Sequence, residues 1–176
     1  MRPQHTGPIA GPIKQARGWQ VFPSPDDPLA IYCLKITCLS LLAASALQGL
    51  AIALFQALNV KVASGPEQLF RPMDWAGTVL FAPLAESVLL WAAASLARST
   101  GRVWATSLVI GVVAGAAHAS LHPMWFFGPA ASFTIFAWAW QRWRNADRPR
   151  HFLVLLIPHV LQNAIVMCLQ FFAARF

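Results

Sequence analysis

At 176 residues the chain has room for one domain rather than two. Hydrophobic residues make up 57% and charged residues only 11%, against about 25% charged in an ordinary soluble domain, so the composition excludes a water-clothed globule. The net charge of +7 does not point to nucleic acid, because the basic residues sit in short segments between apolar runs instead of forming one stripe among aromatics.

Residues 1–28 are polar and proline-rich, with Pro3, Pro8, Pro12, Pro23, Pro25 and Pro28. They hold neither the apolar core nor the small-residue cleavage pattern of a secretory signal peptide, and this composition predicts a disordered tail. The remainder, 29–176, reads as one transmembrane helical domain. Its apolar runs match the roughly 20 helical residues needed to cross a bilayer. Five spans are expected: residues 31–58, with Lys35 near the start placed to snorkel; 75–97; 103–118, short and rich in Gly and Ala; 124–140; and 151–174. The expected fold is therefore an all-α integral membrane bundle of about five transmembrane helices.

Orientation follows from the basic residues. Nine of them (Arg2, Lys14, Arg17, Arg98, Arg102, Arg142, Arg144, Arg148 and Arg150) fall on one side of a five-span chain, or ten with Lys35, against Lys61, Arg71 and Arg175 on the other. Cytoplasmic loops carry the excess, so the N-terminus is expected inside and the C-terminus outside. Trp75, Trp104, Trp125, Trp138, Trp140 and Trp143 fall at span ends, as an interfacial aromatic belt requires. Cys33, Cys38 and Cys168 lie in or beside apolar runs without a C-x-x-C pattern, so they read as small buried hydrophobes.

Ionisable groups inside a membrane cost roughly 2.5–3.5 kcal/mol on insertion scales and mark functional sites by default. Glu86 lies mid-span, just after Pro83, which breaks the helical hydrogen-bond ladder and frees a carbonyl. No Lys or Arg lies at that depth, so a histidine is its natural hydrogen-bond partner. His118 is flanked by Gly115, Ala116, Ala117 and Ala119, small residues that let another helix come close. His122, just before Pro123, is expected at the interface. His159 and Asn163, four residues apart, share one helical face beside Pro158. Polar groups in lipid must turn toward one another or toward a wet pocket, so these side chains from three spans are expected to converge.

Hydrolysis is the chemistry such a convergence supports. Glu86 with His118 activates water, while His159 with Asn163 donates hydrogen bonds to the oxyanion of an attacked carbonyl. A zinc site built from Glu86, His118, His122 and His159 is the weaker alternative, because no H-E-x-x-H motif is present. Neither a metal nor another cofactor is expected.

Three stretches together resemble the CPBP family, the CAAX proteases and bacteriocin-processing or bacteriocin-immunity membrane proteins also called Abi proteins. "APLAESVLLW" resembles the family's E-E-x-x-x-R motif, with Glu86 at the first Glu. His118 matches the histidine of F-x-x-x-H, and "PHVLQN" matches H-x-x-x-N in full through His159 and Asn163. The resemblance covers about residues 75–174. Ser87 stands in place of the second Glu, Trp91 in place of the Arg and Ala114 in place of the Phe, which suggests a divergent subgroup. The family is described as glutamic intramembrane endopeptidases, although its members were long regarded as metalloproteases. The resemblance thus implies a metal-free peptidase of the bacterial inner membrane, acting on a membrane-anchored or lipidated protein or peptide. A non-catalytic immunity or chaperone-like protein of the same fold is the rival expectation. A proton or ion relay ranks below both, because the chain lacks the inverted repeats of transporters.

Overall fold

The computed structural model describes residues 22–61, 72–143 and 148–175, and among them the regular secondary structure is all helical, without a strand. Helix α1 spans Leu29–Ala57, α2 Pro72–Ala76, α3 Ala82–Ala97, α4 Val103–Ala119, α5 Phe127–Arg142 and α6 Arg148–Ala173. A π-helical segment, Gly77–Phe81, fuses α2 to α3 into one rod. Leu29–Ala57, Met73–Ala97 and Arg150–Ala173 are long and apolar enough to cross a membrane. The other two expected spans are the 17-residue α4 and the 16-residue α5, each about 25 Å long at 1.5 Å per residue, slightly short of a hydrocarbon core of about 30 Å.

Large apolar side chains lie on the outside, among them Leu42, Leu50, Leu89, Leu96, Val109 and Leu169. That inversion is what a lipid-facing surface needs. Inside, Tyr32, Ile36, Leu90, Phe133, Phe136, Trp140, Val154 and Leu155 form the core where α1, α3, α5 and α6 meet. Two polar side chains within or beside it find main-chain partners. Tyr32 donates its hydroxyl to the Ala139 carbonyl at 3.2 Å, and His151 stacks flat on Trp140 with centroids 4.2 Å apart while its Nε2 lies 3.0 Å from the Trp140 carbonyl. Trp140 and Trp143 are therefore core residues, not members of the expected interfacial belt: His151 on α6 covers Trp140 and Tyr32 on α1 covers Trp143. Of the three cysteines only Cys33 is buried; Cys38 and Cys168 are exposed and do not fill the core.

The helix ends follow from local chemistry. Asn59, at φ 52°, ends α1 in the left-handed conformation, and the N–H groups of Asn59 and Val60 return to the carbonyls of Gln56 and Phe55, the Schellman pattern. At the other end of α1, Lys35 Nζ pairs with the Asp27 carboxylate at 3.0 Å, so its charge reaches the polar end as snorkelling requires. Asp27 also accepts the Ser24 N–H at 2.8 Å, so residues 22–28 hold a bonded turn although they belong to the tail expected to be disordered. The rest of that tail lies outside the described residues.

Helix α4 buries only Ser107, Gly111 and Gly115, a stripe of small residues at four-residue spacing. Helix–helix association in lipid depends on such close backbone approach. A Cβ on Gly111 would strike the Thr134 hydroxyl and the Ala130 carbonyl, and one on Gly115 would sit 2.7 Å from the Phe126 carbonyl. Helix α4 consequently docks on α5. Replacing Gly111 with Val is expected to lower stability by roughly 1–3 kcal/mol, the usual cost of overpacking. Gly49→Ala, in open space, is expected to leave stability unchanged or raise it slightly; thermal unfolding of both variants in detergent checks the contrast.

Candidate functional site

The π segment explains how the chain brings Glu86 inward. Its register is i to i+5: the Ala82 N–H bonds the Gly77 carbonyl. In that register the next bond would run from residue 83 to the Thr78 carbonyl, but Pro83 has no N–H. The orphaned Thr78 oxygen is taken by Asn163, whose Nδ2 donates to it at 2.9 Å. One proline therefore creates both the bulge ahead of Glu86 and the acceptor that fixes Asn163 on α6.

A second polar clamp sits one residue away. Gln162 accepts the Ser40 hydroxyl through Oε1 and donates through Nε2 to the Ser132 hydroxyl at 2.6 Å. It ties α6 to α1 and α5 inside the bundle and so fixes the rotation of α6. On the rotation so fixed, His159 points at Glu86.

The expected convergence is present. Glu86 Oε2 lies 3.2 Å from His159 Nε2, and Glu86 Oε1 lies 3.7 Å from His118 Nε2. His118 Nδ1 is 2.8 Å from the Ala114 carbonyl. A carbonyl only accepts, so Nδ1 carries the hydrogen, and in the neutral ring Nε2 is left as an acceptor facing the carboxylate. The 3.7 Å gap exceeds a direct hydrogen bond and leaves both atoms within reach of a water seated beside them on the cavity side. His159 Nδ1 is buried without a hydrogen-bond partner, so its contact with Glu86 is the polar bond that orients the ring. Phe133 lies beside both imidazoles, 5.7 Å from His118 and 5.1 Å from His159, and Phe136 lies 5.4 Å from His159. These rings wall the imidazoles on the α5 side.

Glu86, His118, His159 and Asn163 all line one cavity of about 980 Å³ between α1, the α2–π–α3 rod, α5 and α6. His122 does not line it; it is buried at the end of α4 with its ring 6.0 Å from Trp125. The described residues hold no cluster of three or more His, Cys, Asp or Glu able to hold a metal ion.

The positions that depart from the motifs the sequence resembles separate cleanly. Trp91 is exposed on the lipid side of α3, and Ser87 is fully buried with no partner for its hydroxyl. Ala114 supplies the carbonyl that sets the His118 tautomer, a role any residue could fill. Sequence reasoning missed Gln48, Ser132, Phe133 and Gln162, all on the cavity wall. For the two glutamines a signal existed: each is an uncharged polar residue deep in an apolar run. Gln48 accepts the Gly128 N–H at 3.3 Å, one of the donors that the first turn of a helix leaves unpaired. No family model, characterised protein or solved structure matches the chain.

If Pro83 is what commits Asn163 to Thr78, the two positions are energetically coupled. Asn163→Ala is expected to destabilise the protein by about 1 kcal/mol. The same change in a Pro83→Ala background, where residue 83 regains its N–H, is expected to cost little. A double-mutant cycle of thermal stabilities reads the coupling; strict additivity would contradict this origin of the bulge.

Proposed function

We propose that this protein is an intramembrane endopeptidase of the glutamic, CPBP-like type, which hydrolyses a peptide bond of a membrane-anchored or lipidated protein. The observation that carries the reading is the carboxylate of Glu86 held between two imidazoles at the floor of a cavity within a membrane bundle. The motif resemblance and its order along the chain support it.

In this mechanism a water in the cavity, hydrogen-bonded to Glu86 Oε1 and His118 Nε2, attacks the substrate carbonyl carbon. Glu86 takes the water proton as the C–O bond forms. The carbonyl oxygen gains negative charge and accepts hydrogen bonds from His159 Nε2–H, released as Glu86 becomes neutral, and from the second Nδ2 hydrogen of Asn163. The C–N bond then breaks, and the proton on Glu86 passes to the leaving amine. The reading needs no metal. The resemblance favours a bacterial inner membrane, and the distribution of basic residues favours an N-terminus in the cytoplasm.

A second reading has an observation of its own. The amide of Asn163 is already bonded to Thr78, and Ser87 and Trp91 replace residues of the family motif. A non-catalytic immunity or chaperone-like protein would use the same polar groups to hold helices together.

Glu86→Gln separates the two readings. As a peptidase the protein is expected to lose processing by at least about a hundredfold with little change in thermal stability, and to keep activity after treatment with strong chelators. Comparing terminal peptides from membranes of cells carrying wild-type or Glu86→Gln protein reveals the cleaved substrate. Unchanged termini together with a lowered unfolding temperature would favour the non-catalytic protein, and loss of activity to chelators, restored by zinc, would favour a metal mechanism.

A further inference from the structure

A second cavity, about 1220 Å³, opens between α3 and α4 and shares Glu86, His118, Leu121 and Phe133 with the first. It arises because α4 docks on α5 through its small-residue stripe and leans away from α3. The two cavities differ in chemistry. The first carries Gln48, Asp74, Gln162, Asn163 and Gln170 along its walls. The walls of the second are apolar over most of its length, including Ala93 and Ala97 on α3 and Val109 and Val113 on α4, and Arg102 lies at the end far from Glu86. From Glu86 to Ala97 the groove runs alongside about 16 Å of helix at 1.5 Å per residue, which matches about three helical turns of a guest peptide.

We infer that the α3–α4 groove holds the apolar, membrane-buried flank of the substrate polypeptide, with a terminal carboxylate at Arg102, while the polar flank on the other side of the scissile bond lies extended in the first cavity. Both cavities meet at Glu86, so a molecule filling the groove and presenting a carbonyl to Glu86 must continue past it into the polar cavity. A diacyl lipid and a lipidated peptide can both do this, but their hydrocarbon chains end without charge, and the groove ends at an exposed arginine. Charge complementarity therefore selects a peptide with an anionic end. The placement rests on the reading of Glu86 as the hydrolytic centre, and it names the substrate as a junction between a polar stretch and an apolar helix.

Binding is tested in Glu86→Gln protein, reconstituted into phosphatidylcholine nanodiscs, so that the readout is independent of turnover. The probe is a fluorescent peptide with about eight polar residues followed by an Ala/Leu helix of about three turns and a free carboxylate. Photo-crosslinking from p-benzoylphenylalanine at position 109 is expected to capture this peptide, and the same group at the outward-facing position 42 is expected not to. Amidating the carboxylate, or the Arg102→Gln change, should weaken binding about tenfold, and Ala93→Trp should abolish the crosslink. The placement is overturned if no such peptide binds, if amidation and Arg102→Gln leave affinity unchanged, or if a farnesylated peptide lacking the helix captures position 109 equally well. The hydrolase reading fails separately: a peptide that occupies the groove as described yet stays intact with the wild-type protein sinks that reading and leaves the groove assignment standing.

Discussion

An ionisable carboxylate in the middle of a membrane helix is costly unless something polar meets it. In this protein two histidines from two other helices meet Glu86, and much of the bundle can be understood as the means of getting them there. Helix α4 reaches the site by lying on α5 through Ser107, Gly111 and Gly115. Helix α6 is held at a fixed rotation by Gln162, bonded to Ser40 and Ser132. The rod that carries Glu86 is tied to α6 by Asn163 and Thr78.

Pro83 shows how a defect in a helix becomes a feature of the site. Pro83 removes one donor from a π-helical register, and the abandoned carbonyl then recruits a side chain from across the bundle. In water such a carbonyl would be solvated; in hydrocarbon it needs a protein partner. Pro158 also sits inside α6, beside His159, but there the α-helix runs on unbroken. At Pro83, backbone irregularity, polar side chain and cavity thus occur together because each supplies what the others lack.

Much of this is legible in the sequence. The apolar runs mark the helices, because spanning a bilayer imposes a minimum length and few charges. Glu86, His118, His159 and Asn163 stand out because ionisable or strongly polar groups at depth are rare. What stays hidden depends on rotation and register. The Asn163–Thr78 bond follows from a π register that no spacing in the sequence declares. Gln48 and Gln162 look like tolerated polar residues until the helices they bridge are known. Trp140 and Trp143 fall at a span end, where a belt is expected, and only the packing of α6 and α1 against α5 turns them into core. The lipid-side position of Trp91 and the burial of Ser87 likewise depend on how α3 is turned.

Everything at the site turns on Glu86 sharing its carboxylate with both imidazoles inside the bilayer. Magic-angle-spinning NMR on protein labelled at glutamate and histidine, reconstituted in lipid, measures this directly. The expected result is a pair of through-space correlations from the Glu86 side-chain carboxyl carbon to Nε2 of His118 and of His159, with His118 in the Nδ1–H form, and a shift of both histidine signals in Glu86→Gln. Absence of both correlations, with histidine signals unmoved by that substitution, would contradict it.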